Sequence, residues 1–298
     1  MASLEEKLAG WTGPSSPTEQ DKQERTERMI KEAVRDYPGF KDCSLTVYAK
    51  GSYANDTNVR ADSDVDIAVE CSDVLYWDEA EPGAKTSKGE PYTGPWTPSK
   101  LRSELHSALE KKFPGEVDSS GTTAFQVNSS SARVDGDVLP CFDYRYYFSS
   151  GAYRDGSKAF KTDGTSITNY PQQQLDNGRT KNARTSLRFK KAVRVMKRVE
   201  NAMVEDSIIE ELPSYFIECL VYNVADDILV RSSWVEVVRG ILVHIYEELE
   251  GPEPTDEQSR WLEVNECKYL FHSAQKWTRQ DGRDFAQAAW SYLGYPNP

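Results

Sequence analysis

Apolar residues recur at helical spacing through a heavily charged run over residues 19–37, and Pro38-Gly39 closes it. This pattern predicts a long first helix, entered through the Pro/Ser/Gly segment WTGPSSPT. The pattern then changes to period two. SLTVYAK (44–50) and DVDIAVE (64–70) alternate as strands do, and Gly51-Ser52 breaks between them, so the reading is strand, turn with a short helical piece, strand. Residues 78–98, rich in Pro, Gly, Lys and Glu, read as a mobile insertion before a helix over 98–113. Strands are predicted over 123–127, 132–139 and 142–148, which makes the first half a mixed sheet with flanking helices. Residues 151–178 read as loop or hairpin. Helices follow over 180–201, 213–230 and 234–249, with a last one inside 282–293.

Composition narrows the class. A chain of 298 residues with 38% hydrophobic and 28% charged residues is long enough to bury one large core or two smaller ones. A net charge of −12 disfavours a general nucleic-acid coat, though not a small basic pocket. The five cysteines are scattered without a C-x-x-C pair, against both a disulfide framework and a structural zinc site, and Cys267 and His272 lack a second pair of metal ligands. The N-terminus lacks a leader pattern and no apolar run reaches membrane-span length, so a cytoplasmic location without membrane contact is expected.

The chemistry begins on the strand at 64–70. Residues i and i+2 share a face, so Asp64 and Asp66 project together while Val65, Ile67 and Val69 point to the core. Two close carboxylates repel unless a cation lies between them, and Mg²⁺ favours such oxygens, completed by water or phosphate. Gly51 allows the backbone close to a phosphate, and Ser52 adds a hydroxyl and an amide N–H. An acidic edge strand beside a routine turn has the same D-x-D spacing.

The wider constellation separates the two readings. A Gly-Ser turn, an S-D-V-D strand and a later acid resemble the nucleotidyltransferases built on a DNA-polymerase-β-like palm. Within that resemblance Asp137, in ARVDGDVLPCFDYR, takes the third acid's place, with Asp135, two residues earlier on the same face, as its rival. Three such acids can hold two Mg²⁺ or Mn²⁺ ions, one lowering the pKa of an attacking hydroxyl and the other steadying the leaving oxygens of a triphosphate.

The second half carries complementary charge. Between Arg179 and Val199 there are nine basic residues and no acid. Lys190, Arg194, Lys197 and Arg198 fall at helical spacing, so one face could present cations to phosphates, or merely be solvated. Further on, ELPSYFIECLVYNV places Ser214 and Tyr215 at a helix start, where a hydroxyl could donate to phosphate and a ring could stack on a base or simply pack. Trp261, Trp277 and Trp290 read as core of the helical half.

Together GSYANDTNVRADSDVDIAVE, VDGDVLPCFDYRYY, ITNYPQQQLDNGRTKN, RFKKAVRVMKRV and LPSYFIECLVYN resemble the cGAS/DncV-like nucleotidyltransferases, and among them the bacterial E clade. The resemblance implies an α+β, bilobal fold: a polymerase-β-like palm with an N-terminal spine helix over 1–178, and a helical bundle over 179–298 closing a central cleft. It implies Gly51 and Ser52 as the phosphate turn, Asp64, Asp66 and Asp137 as metal ligands, and Lys197, Ser214 and Tyr215 as nucleotide-binding residues. It further implies template-free joining of ATP, UTP, CTP or GTP into a cyclic di- or trinucleotide in anti-phage signalling, and leaves room for a regulatory protein partner. No cysteine cluster is available for a DNA-binding zinc ribbon, so direct activation by double-stranded DNA is not expected. Asn169 aligns with the residue that favours uracil in that clade, and its amide offers the donor and acceptor that uracil's O4 and N3–H edge needs, although a turn residue before Tyr170-Pro171 would read the same. The metal acids alone equally suit a linear oligonucleotide synthase or an enzyme that modifies a small molecule or protein. A silent nucleotide sensor would be expected to lose one of the acids. A structural or interaction protein would use the Trp residues as partner surface.

Overall fold

A computed structural model of the chain describes residues 3–59, 64–85 and 92–296. The chain forms two compact units. One comprises Ser15–Ala54 together with the chain beyond Val59 as far as Pro171; the other comprises the chain up to Pro14, Asn55–Val59 and everything from Gln172 on.

The first unit is a sheet backed by helices. Its long helix α2 (Pro17–Arg35) starts two residues before the expected Glu19, because Ser16 and Glu19 form a capping box and Pro17 occupies the first turn. Strands β1 (Leu45–Ala49) and β2 (Val65–Glu79) flank the four-residue helix α3 (Gly51–Ala54). Helix α4 (Pro98–Lys112) follows, capped by Thr97, and then β3 (Val117–Asp118), β4 (Phe125–Val127), β5 (Gly136–Tyr147), β6 (Tyr153–Phe160) and β7 (Ser166–Asn169). The sheet runs β1-β2-β5-β4-β3, with β6 pairing β5 and β7 pairing β6. The β2–β5 pair is parallel and the others antiparallel.

Alternation decides which face is which. Val65, Ile67, Val69, Val138 and Phe142 pack with Ile30 and Val34 of α2 and Leu101, Leu105 and Leu109 of α4. The intervening residues of β2 and β5 share the opposite face, where a small cluster of Ala68, Leu139, Cys141 and Ala159 provides the apolar floor.

Two strand expectations change. The segments 132–139 and 142–148 form the single strand β5, since Pro140 falls where one edge of β5 passes from β4 (up to Val138) to β6 (from Phe142) and its missing N–H costs no bond there. β2 also continues nine residues past Glu70, through a register shift between Cys71 and Leu75. Part of the expected insertion, 86–91, lies outside the described residues, as do 60–63. Near the insertion's end Trp96 is buried against Phe40, with ring centroids 5.9 Å apart. The expected hairpin over 151–178 is β6 and β7, followed by a helix that begins at Pro171.

The second unit is helical: α5 (Pro171–Arg184), α6 (Phe189–Glu205), α7 (Ser214–Tyr222), α8 (Asp226–Leu229), α9 (Trp234–Glu248) and α10 (Arg279–Tyr292). Its core joins Phe189, Met196, Phe216, Leu220, Ile241 and Phe285, and Trp277 stacks on Phe216 with centroids 5.2 Å apart. The single helix expected over 180–201 is instead α5 and α6, parted at Ser186 and Leu187, whose φ values are 52° and 61°. Asn182 Oδ1 and Thr185 Oγ1 accept the amides of Lys190 and Phe189, each at 3.1 Å, which satisfies the start of the new helix. The helix expected over 213–230 divides into α7 and α8.

A helix that the pattern did not announce, α1 (Leu4–Gly10), also belongs to this unit. Leu8 is fully buried in the helical core, and the Glu5 carboxylate accepts the Trp234 and Val235 amides at 2.9 and 2.8 Å, capping α9. The units thus divide at Pro171/Gln172 rather than at 178/179, and the chain's first helix joins the second unit. No described helix is long and apolar enough to cross a membrane.

Candidate functional site

In the sheet unit the acids meet by register. Asp66 of β2 and Asp137 of β5 are direct partners in the parallel pair, on the polar face. Gly136 holds that orientation: a Cβ there would lie 2.9 Å from Ile30 Cδ1 and 3.0 Å from Thr26 Cγ2, so position 136 faces α2 and position 137 faces away. Burial first, then the Asp66 charge, pushes the Asp137 carboxyl above the usual carboxylate range, while Lys50 opposes the shift and Asp135 adds to it. Asp64 stands one residue before β2 and is exposed. Asp135 is placed differently from Asp137: its carboxylate accepts the Ser129 amide and its carbonyl accepts the Val65 amide at 3.0 Å.

The Gly-Ser turn abuts Asp66. Gly51 has φ +68°, and a Cβ on it would lie 2.2 Å from Asp66 Oδ2, so glycine is required twice over. Ser52 is half-buried in the same turn. Lys50, which sequence reasoning passed over, places Nζ 3.1 Å from Asp66 Oδ1, and its amide donates to the Asp66 carbonyl at 2.9 Å.

An oxygen-only donor set of Asp64, Asp66 and Asp137 suits a hard divalent cation, and the Lys50 ammonium already shows Asp66 drawing positive charge. The three are spread more widely than Cys43, Cys71 and Asp73, whose ligand atoms, among the described residues, all lie within 4.8 Å of one another. Cys267 Sγ donates to the Asn265 carbonyl at 3.0 Å, and His272 faces Glu263.

Farther along the same face lies a second polar group. Tyr48 Oη donates to Glu70 Oε2 at 2.7 Å, and burial, with the neighbouring Asp143, raises the Glu70 carboxyl to about 7 although the Tyr48 bond pulls it down. Asp143, Ser157 and Asn169 are register partners across β5, β6 and β7, which puts Asn169 in the row of Asp143. Asn169 is half-buried at the end of β7.

The helical unit treats its cations differently from the expected phosphate-facing row. Lys197 is 2% exposed, with Nζ 3.4 Å from Glu218 Oε2 and 3.5 Å from Thr57 Oγ1; burial lowers its pKa and Glu218 opposes that. Arg194 donates to the carbonyls of Thr12 and Asp56 at 2.8 and 2.5 Å, and Arg198 to those of Trp11 and Gly13. Three of the four cations are therefore turned inward onto the unit's own chain, because Trp11–Gly13 and Asp56 offer carbonyls to the α6 face. Lys190 is half-buried and its pKa is lowered by burial. Ser214 is exposed as the first residue of α7. Tyr215 packs against the core, and its hydroxyl donates to Glu263 at 3.3 Å and accepts from Asn265 at 3.2 Å.

Comparison with known proteins accords with this arrangement. Residues 176–294 match the family model of the cGAS/DncV-like nucleotidyltransferase C-terminal helical domain. The chain is 37% identical over 295 residues, 97% of each chain, to the cyclic dipyrimidine nucleotide synthase CdnE of Legionella pneumophila. It is 32% identical over 299 residues, 98% of each chain, to the cyclic dipurine nucleotide synthase of Elizabethkingia meningoseptica. The solved structure of Elizabethkingia meningoseptica CdnE with GTP and Apcpp superposes with a TM-score of 0.81 at 31% identity, covering 99% of this chain and 100% of that one. With the paired Asp66 and Asp137 beside the Gly-Ser turn, this likeness along the whole chain places the protein among the cGAS/DncV-like nucleotidyltransferases, in the E clade.

Proposed function

We propose that the protein joins two nucleoside triphosphates, at least one of them UTP, into a cyclic dinucleotide without a template. The observation that carries the reading is the register of Asp66 and Asp137 on one sheet face, with Gly51 pressed against Asp66. Asp64, Asp66 and Asp137 would hold Mg²⁺ or Mn²⁺, which when bound activates the attacking hydroxyl and neutralises the leaving pyrophosphate. Gly51 and Ser52 receive the triphosphate beside those acids through the backbone N–H and the Ser52 hydroxyl. The helical unit carries three further nucleotide-binding candidates: exposed Ser214 as a phosphate donor, the hydroxyl-anchored Tyr215 as a ring for a base, and Lys197, whose charge is engaged by Glu218 inside that unit.

Base choice rests on Asn169. Its amide supplies one donor and one acceptor, the complement of uracil's edge. The dipyrimidine product named for the Legionella relative is in keeping with that reading, and the dipurine product named for the Elizabethkingia relative shows that bases vary within the clade. The test is incubation with each pair of α-labelled triphosphates in Mg²⁺ or Mn²⁺, followed by phosphatase. A phosphatase-resistant product that requires UTP is expected. Phosphatase-sensitive product alone would mean linear synthesis, and no product with any pair would refute the reading.

A further inference from the structure

The segment that leaves the phosphate turn is held by a buried charged cluster. Glu218 on α7 is 1% exposed, and both its oxygens are used: Oε1 accepts from Asn55 Nδ2 at 2.5 Å and Oε2 from Thr57 Oγ1 at 2.7 Å. Lys197 on α6 supplies the countercharge at 3.4 Å. Between them Arg194 donates to the Asp56 carbonyl at 2.5 Å and approaches its carboxylate at 3.4 Å. Three consecutive residues, 55 to 57, are thus each fixed by a charged side chain of α6 or α7. Asp56 has φ 53°, a left-handed conformation that Asp tolerates better than most non-glycine residues and that the Arg194 contacts accompany here.

A buried ion pair of this kind is seldom needed for stability alone, since apolar residues of similar volume serve equally well, whereas removing one partner strands a charge. Here the pair is attached to a loop. Asn55 is also lodged tightly: a Cβ on Gly178 of α5 would lie 2.7 Å from Asn55 Oδ1, and that buried oxygen has no hydrogen-bond partner among the described residues. Asn55 follows Ser52 by three residues.

We infer that Glu218 is a positioning residue for nucleotide binding: with Lys197 it anchors Asn55 and Thr57, and so fixes the chain that leads directly out of the Gly51-Ser52 turn, the turn that receives the triphosphate. The inference rests on the reading of that turn as the phosphate site. Glu218 itself touches no reacting atom. Its carboxylate acts through the chain it holds.

Glu218→Gln leaves the Lys197 charge unbalanced and puts folding at risk, so Thr57→Val and Gly178→Ala carry the test. Thr57→Val removes one bond to Glu218 at nearly constant volume, and Gly178→Ala displaces Asn55 while improving the helix propensity of α5. Hydrogen exchange of the peptide spanning 51–59 and steady-state kinetics with labelled triphosphates are the two readouts. In folded variants, exchange of the 55–57 amides is expected to quicken at least tenfold and KM for nucleotide to rise at least tenfold, with kcat within threefold. Exchange within twofold of the parent overturns the anchor. Faster exchange with unchanged KM overturns the link to nucleotide binding. A parent protein that makes no nucleotide product would instead strike the functional reading, while the exchange measurement still decides the anchor.

Discussion

Replacing Gly51 by alanine tests how the turn and the metal acids are fitted together. At φ +68° the new side chain costs about 1–2 kcal/mol of backbone strain. Its Cβ would also stand 2.2 Å from Asp66 Oδ2, where ordinary contact begins near 3.4 Å, so the carboxylate must retreat by about 1 Å. A displacement of that size at a reacting centre costs about 100-fold in rate, equivalent to about 2.7 kcal/mol of transition-state stabilisation. The folded state should survive the strain with a melting temperature lower by a few degrees. Initial rates of pyrophosphate release at several triphosphate concentrations, taken beside a thermal melt, give both quantities. A Gly51→Ala protein with kcat/KM within threefold of the parent would refute the claim that turn and carboxylate share one tightly fitted site.

Other consequences lie elsewhere in the fold. Glu70→Gln keeps an acceptor for Tyr48 and removes the carboxyl raised to about 7. A carboxyl raised in the folded state contributes stability below its unfolded pKa near 4.5, and that contribution is lost as pH rises through about 7. The variant's thermal stability relative to the parent should therefore improve between pH 5 and pH 8, by at most about 3 kcal/mol, and a constant difference across that range would contradict it. Leu8→Ala, at a fully buried position of α1, should destabilise the helical unit by about 2–5 kcal/mol in denaturant unfolding; a loss under 0.5 kcal/mol would mean that α1 is not part of that core. Asn169→Ala should leave total turnover within about tenfold yet weaken the preference for UTP, read from product composition with mixed triphosphates, and unchanged composition would remove Asn169 from base choice.

Local alternation made much of the sheet legible. Val65, Ile67 and Val69 claim the helix-backed face, so Asp66 had to take the other, and the helical spacing of apolar residues in the charged run announced α2. What escaped depends on partners distant in the chain. Asp137 was marked through the family resemblance alone, because the parallel pairing that sets it beside Asp66 is not specified by alternation. Pro140 looked like a strand end because its neighbours on β4 and β6 were unknown. Apolar spacing runs on through Phe189, Ala192, Val193 and Met196, so the break between α5 and α6, made by left-handed residues and side-chain caps, left no mark on the periodicity. The basic run suggested a phosphate-facing surface, yet Lys197 is drawn inward by Glu218 and Arg194 by carbonyls at Thr12 and Asp56. The acid that balances it, Glu218, had appeared as an ordinary helix residue.

Whether Asp66 and Asp137 form one nucleotidyl-transfer site while Asp135 serves the backbone is decided by comparing Asp137→Asn with Asp135→Asn in the labelled-triphosphate assay. Asp137→Asn should fold normally and lose product formation by at least 1,000-fold. Asp135→Asn, whose amide oxygen can still accept the Ser129 N–H, should retain activity within about tenfold. The reverse order, or turnover by folded Asp137→Asn near the parent rate, would contradict that assignment.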